Sequence, residues 1–102
     1  MQPITIVYWR DIPAQVIIGS GRKAAKIQLT ERFEKAIDRC AMKINAKDSD
    51  AYLSEWRKET IGSVDGNLQD VAKAEAERLE EEYDNPTLKA LIDNNGNKKI
   101  KG

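Results

Sequence analysis

The chain has 102 residues, which is the usual size of one domain, and its 17 basic residues balance its 17 acidic ones. Proteins that bind nucleic acid normally carry a clear basic excess, so we do not expect a nucleic-acid partner. The chain has no histidine, the commonest general base and metal ligand, and its single cysteine excludes an internal disulfide and a multi-cysteine metal site. We therefore expect no metal, no cofactor and no recognisable catalytic residues, which leaves open whether the chain is an enzyme.

No stretch of the sequence approaches the roughly 20 apolar residues that a membrane span requires. Residues 1–4 have neither the basic region nor the apolar core of a secretory signal. A single unpaired cysteine also fits a reducing compartment. We therefore expect a cytoplasmic protein that does not contact a membrane.

The first thirty residues predict two strands. Residues 4–10 are β-branched and aromatic almost throughout, which favours a pleated strand, and Pro13 interrupts this run. Residues 15–18 have the same character, and the short link predicts an antiparallel hairpin. A Gly-Ser-Gly turn at 19–21, a basic stretch at 22–26 and an extended segment at 27–29 follow.

Two long helices are predicted. The first begins after a Thr30 cap, and its apolar residues recur at helical spacing along one stripe: Phe33, Ala36, Ile37, Cys40, Ala41 and Ile44. The second begins after an Asn67 cap and ends before Pro86, because the residue preceding a proline is disfavoured in a helix. One or two further helical turns are predicted within residues 87–92.

The segment 51–64 allows two interpretations. Alternation of Tyr52, Ser54, Trp56 and Lys58 with their neighbours predicts an edge strand, whereas Ser49 as a cap, with Leu53 and Trp56 three apart, predicts a short helix. We favour the strand. The predicted fold is then one α+β domain over residues 1–93, in the order ββαβα, with a small antiparallel sheet and two helices packed on one face. Residues 94–102 are polar and basic, which is typical of a disordered tail.

The charges are distributed unevenly along the chain. Residues 1–30 carry four cations against the single acid Asp11, and residues 61–93 carry nine acids against three cations. The acidic run at 80–82 is typical of the solvated face of a surface helix. It also fits a docking surface for a basic partner, or head-to-tail self-association.

One candidate site is predicted from the basic N-terminal residues. We predict that the segment up to Lys26 folds back beside the first strand, with residues 27–29 extending that edge. Six residues would then share the face opposite the helices and bind an acidic partner or an anion: Trp9, Arg10, Gln15, Arg22, Lys23 and Lys26. Two alternatives stay open. Trp9 equally fits a strand end that covers the core, and residues 19–23, which match no phosphate-loop motif, fit a mobile turn.

Several segments resemble one bacterial family. The run 5–16, which reads TIVYWRDIPAQV, is the most distinctive, and it is joined by 21–26 (GRKAAK), 31–39, 50–57 and 74–79. These segments are similar to the small domain family labelled "virulence factor", and the resemblance covers about residues 4–93. The family label describes no mechanism. The resemblance implies an accessory or interaction module, because related domains end longer proteins with an Nfu-like segment and stand-alone members are encoded near folate and corrinoid enzymes.

Two functions are therefore expected. The first is a non-enzymatic partner-binding module linked to one-carbon (folate or corrinoid) or metallocofactor metabolism, with an unidentified protein partner and possible homo-oligomers. The second is a small enzyme or ligand-binding subunit that uses the basic face for an anionic ligand. A pocket of about 300 Å³ or more that converges on the cations favours the second, and a flat surface favours the first.

Overall fold

The computed structural model of the chain describes residues 2–45 and 50–97. It contains four strands, β1 (Gln2–Trp9), β2 (Ile12–Ile18), β3 (Ala25–Gln28) and β4 (Trp56–Val64), in the spatial order β3-β2-β1-β4 with all neighbours antiparallel. Its helices are α1 (Glu31–Lys43), α2 (Asp50–Ser54), α3 (Leu68–Glu82) and α4 (Asn85–Asp93). The α+β fold with a small antiparallel sheet is therefore confirmed.

The β1–β2 hairpin forms the centre of the sheet. Ile4 pairs with Ile18 and Ile6 with Val16, and all four side chains are buried. Both long helices contact β2, and their apolar stripes close the core over these residues. Burial of each such side chain stabilises the fold by about 1.5–3 kcal/mol relative to its exposure. The predicted hairpin and the predicted stripe of α1 are both confirmed.

Two details of the sheet differ from the predicted order ββαβα. The segment after the Gly-Ser-Gly turn forms a third strand, β3. The prediction that this segment lies beside β1 is wrong, because β3 pairs with β2. The segment 51–64 contains both predicted alternatives in succession, because α2 ends at Ser54 and β4 begins at Trp56. The proposed cap Ser49 lies outside the described residues.

The start of α1 is held by a distant carboxylate. The Thr30 side chain was predicted to cap the helix, but it makes no capping hydrogen bond. Instead its N–H and hydroxyl donate to Glu80 on α3 at 2.7 and 2.8 Å, and Arg32 forms an ion pair with the same carboxylate at 3.0 Å. Glu80 therefore joins the two long helices. The predicted Asn67 cap of α3 is confirmed, since its side chain accepts from the Asp70 N–H.

Residues 94–97, which the sequence placed in a tail, pack against the β1–β2 turn. The Asp11 N–H donates to the Gly96 carbonyl at 2.8 Å, and Gly96 is buried. The remainder of the predicted tail, 98–102, lies outside the described residues. No helix in the described ranges is long and apolar enough to cross a bilayer.

Candidate anion-binding site

Two of the six predicted site residues have structural roles. Trp9 is completely buried, and its indole Nε1 donates to the Tyr52 carbonyl at 2.9 Å. Arg10 occupies the hairpin turn with a positive φ of 54° and donates to the Asn95 carbonyl at 2.6 Å. Its Nε also lies 2.7 Å from the Glu55 carboxylate, as an ion pair without an aligned hydrogen bond. Trp9 and Arg10 are therefore not on the predicted face.

The remaining four residues lie away from Arg10. β2 runs from the Arg10 turn to Gly19 over seven residues, so the two ends of the strand are about 20 Å apart at about 3.3 Å per residue. Arg22 and Lys23 lie in a 3₁₀ turn (Gly21–Lys23) beyond that far end, and Lys26 follows on β3. The predicted single patch is thus divided, and only its second part remains a candidate site.

The face of the sheet opposite the core presents two rows of solvent-facing side chains. One row crosses the strands through Lys26, Ile17, Thr5 and Thr60, which are successive cross-strand neighbours. The next row contains Gln28, Gln15, Val7 and Lys58. All eight side chains are half-buried or exposed, in contrast to their buried neighbours Ile4, Ile6, Val16 and Ile18. Gln15, Lys26 and Lys58 therefore do share one face.

A hollow of about 590 Å³ opens on this face, and we call it the basic hollow. Its lining contains three cations and no carboxylate: Thr5, Ile17, Gly19, Ser20, Gly21, Arg22, Ala24, Lys26 and Lys58. Within the described residues none of the three cations forms an ion pair. Lys23 is exposed on the same turn but does not line the hollow. An anion placed there meets positive charge from three side chains, and none of the lining residues is an acid that would repel it.

Two glycines shape the wall of the basic hollow. Gly19 and Gly21 have φ values of 90° and 71°, which side chains with a Cβ rarely adopt, so the chain turns tightly from β2 into the 3₁₀ turn. A Cβ at Gly19 would also lie 3.3 Å from the Leu68 side chain of α3. The turn therefore brings Arg22 to the same hollow as Lys26. Strand β3 follows the turn, so the turn is not joined directly to a helix N-terminus of the kind that binds phosphate.

Lys58 is a site residue that the sequence analysis did not identify. It reaches the basic hollow because β4 pairs with β1 in a register that sets Lys58 opposite Val7. The alternation of residues 52–58 indicated a strand, but no local pattern gives the strand beside which it lies. The one usable signal in the sequence was that Lys58 and Thr60 are two positions apart, which places both side chains on the same face of β4.

We also considered a reactive thiol, a second hollow and a metal site among the described residues outside the basic hollow. Burial raises the pKa of the Cys40 thiol, and the charges of Arg10 and Lys43 offset that rise in part, so Cys40 is a protonated, buried core side chain. A second hollow, of about 600 Å³, lies between the end of α3 and α4 and includes Glu82, Tyr83 and Asp93. No group of three or more described carboxylate or cysteine side chains is arranged to hold a metal ion.

A comparison with models of known protein families tests the family resemblance that the sequence indicated. The model of the family described as "virulence factor" matches residues 7–92, which include the end of β1, strands β2 to β4, both long helices and every residue that lines the basic hollow except Thr5. The chain belongs to the virulence factor family. No curated protein and no solved structure matches it. The description "virulence factor" names no ligand or reaction, so the function has to be inferred from the site itself.

Proposed function

We propose that this virulence factor family protein is a non-catalytic accessory module that binds a phosphate or carboxylate group in the basic hollow. One observation carries the proposal: Arg22, Lys26 and Lys58 converge on one hollow whose lining has no acid. Structural cations in this fold, such as Arg10 and Arg32, are each paired with a carboxylate. The three cations of the hollow are instead left facing solvent, which is the arrangement that an anionic ligand requires.

The first candidate ligand is an acidic segment of a partner protein. The hollow is open and continues into a sheet face that no described element covers and that carries Gln15, Gln28 and Thr60, whose amide and hydroxyl groups hydrogen-bond readily. An extended acidic chain matches such a surface, and binding of this kind depends on electrostatic attraction. The link to one-carbon (folate or corrinoid) or metallocofactor metabolism, and a cytoplasmic location, stay predictions.

The volume of the hollow supports a second candidate, a small anionic metabolite. Its 590 Å³ falls within the roughly 300–1,000 Å³ of small-molecule sites. The chain would then be a ligand-binding subunit. Both candidates use the same cations, and they differ in whether a free small anion is sufficient for binding.

Calorimetric titration separates these outcomes. The wild-type chain is titrated with inorganic phosphate, with pyrophosphate and with a short oligoglutamate peptide. We expect the affinity to fall with added salt, because exposed charges are screened beyond about 10 Å at 0.1 M. Tighter binding of the peptide supports the partner segment, and tighter binding of pyrophosphate supports the metabolite.

A matched pair of variants tests whether the hollow is the site. Arg22→Glu with Lys26→Glu reverses two lining charges and should weaken binding more than about tenfold. Lys23→Glu reverses one charge on the same turn outside the lining, and we expect a loss much smaller than half of the binding free energy lost in the double variant. All of these side chains are exposed, so the melting temperature should change little. Equal loss in the double and control variants, or no binding of any probe to wild type, would contradict the proposal.

A further inference from the structure

Strand β4 has no hydrogen-bonded strand beyond its outer edge within the described part of the chain, although its Arg57 side chain pairs with Asp11 and lies over the Tyr8 ring. It is the edge strand beyond β1, and residues 57–63 are exposed on both faces. An edge strand presents a row of free backbone N–H and C=O groups, which readily pair with another strand. The other edge, β3, is a strand of only four residues, and α3 contacts it. β4 is therefore the edge that is available for pairing.

The direction of the free backbone groups follows from the hydrogen bonds to β1. The Arg10 N–H donates to the Glu55 carbonyl at 3.1 Å, in register with the pairing of Trp9 to Trp56. Backbone groups of successive residues in an antiparallel strand point alternately to the two sides. Those of Trp56, Lys58 and Thr60 consequently point outwards, away from β1.

A β-bulge limits how far a second strand can follow β4. Ile4 pairs with Gly62 and Thr5 with Thr60, so Ile61 is an extra residue in β4. A bulge bends and twists its strand, and it interrupts regular pairing. The regular part of β4 is therefore Trp56–Thr60, and its central residue is Lys58.

We propose that β4 pairs antiparallel with β4 of a second copy of this chain, about a two-fold axis at Lys58. This register sets the outward backbone groups of Trp56 opposite those of Thr60 in the other copy. It also sets Arg57 opposite Glu59, twice by symmetry, at the closer spacing of a pair without direct backbone hydrogen bonds, about 4.5 Å between Cα atoms. Within its own chain Arg57 already forms ion pairs with Asp11 at 3.1 Å and Glu59 at 3.2 Å, so the Glu59 of the second copy adds to an existing ion-pair cluster. Oppositely charged cross-strand neighbours stabilise such a pair. The charge pattern of the segment is thus complementary to itself in the register that the bulge imposes.

One feature of this register opposes association. The two Lys58 side chains lie directly opposite each other on the face of the basic hollow, and like charges in that position are destabilising. Pairing along a single strand edge also buries less surface than a standard protein–protein interface, which buries about 1,600 Å² in total. The dimer is consequently weak, and Lys58 limits its affinity.

Sedimentation velocity over a concentration series tests the pairing. We expect wild type to pass from monomer to dimer below about 1 mM. Glu59→Arg makes both Arg57 pairs between the copies repulsive, removes the ion pair of Glu59 with Arg57 inside each chain, and should raise the dissociation constant more than about tenfold. Glu77→Arg makes the same charge change on an exposed position of α3 and should leave the dissociation constant unchanged.

Two substitutions at Lys58 give opposite results. Lys58→Thr removes the like-charge pair and should lower the dissociation constant about threefold. Lys58→Pro removes the outward N–H but no hydrogen bond to β1, a change that edge strands tolerate, and it should abolish the dimer. Circular dichroism confirms that each variant is folded. A wild-type chain that is monomeric at about 1 mM, or a dimer unaffected by Glu59→Arg, overturns the proposal and leaves a strand of another protein as the occupant. Anion binding is judged separately, because its Arg22 and Lys26 variants do not alter β4.

Discussion

Replacing Gly96 by alanine tests whether the C-terminal residues 94–97 are part of the fold. Gly96 has a φ of 86°, and a Cβ there would lie 3.0 Å from the Cys40 Sγ and 3.1 Å from the Arg10 Cδ. A side chain at such a φ costs about 1–2 kcal/mol. Overpacking of a close-packed site typically costs about 1–3 kcal/mol.

Together these two costs would lower the free energy of unfolding by about 2–5 kcal/mol. The loss cannot exceed the free energy that holds residues 94–97 on the surface, because the segment can detach and so avoid the strain. If residues 94–97 leave the surface, the chain loses the hydrogen bonds of the Asp11 N–H and the Arg10 side chain to Gly96 and Asn95, each worth about 0.5–1.5 kcal/mol, together with the burial of Gly96. We therefore expect Gly96→Ala to lower the free energy of unfolding by about 2–3 kcal/mol.

Urea denaturation measures this change, and Gly62→Ala is the matched control. Gly62 lies on β4 with open space where a Cβ would be, so its substitution should change the free energy of unfolding by less than about 0.5 kcal/mol. Reaction of Cys40 with a thiol reagent should also be faster in Gly96→Ala, because Gly96 packs on the Sγ atom. A Gly96→Ala chain as stable as the Gly62→Ala control, with unchanged thiol reactivity, would refute the described packing of residues 94–97.

Three further predictions concern the core and the helix contact. Phe33→Ala should lower the free energy of unfolding by about 3–5 kcal/mol in urea titrations, because Phe33 is 1% exposed and packs edge-on against Tyr83; a loss below about 1 kcal/mol would contradict that placement. Cys40 in the native chain should react slowly with a thiol reagent and rapidly in denaturant, and rapid native labelling would indicate an accessible thiol. Burial would raise the pKa of Glu80, but hydrogen bonds from Thr30 and the contact with Arg32 hold it below its ordinary value. Its contribution to stability is therefore present at neutral pH and is lost as the pH falls through the lowered pKa, so Glu80→Gln should destabilise the chain at neutral pH and progressively less in acid.

The elements that depend on local pattern could be predicted from the sequence. Helix α1 follows from the spacing of Phe33, Ile37 and Cys40, and the β1–β2 hairpin follows from two β-branched runs with a short link between them. These patterns also give the buried face of each element. They do not give its partner, because strand pairing is decided by contacts between residues far apart in the chain. That is why β3 was expected beside β1 and is found beside β2.

The candidate site was predicted only in part, because some of its residues are brought together by long-range strand pairing. Arg22 and Lys26 lie close together because a short turn and strand join them, and this was available from the sequence. Arg10 was assigned to the same patch because the cations of the first thirty residues were expected to share one face. The Glu55 carboxylate and the Asn95 carbonyl, from distant segments, bind it instead. Lys58 enters the site from β4, through a strand register that no local signal contains.

An NMR titration of the isotopically labelled chain with phosphate tests the central claim most directly. The amide chemical shifts, recorded at each phosphate concentration, locate the bound anion on the chain. The basic hollow predicts progressive, salt-sensitive shifts of the amides from Gly19 to Lys26 and of Lys58, with the amides of α3 and α4 unchanged. Absence of any shift, or shifts centred on the Arg10 turn or on the helices, would contradict anion binding in the basic hollow.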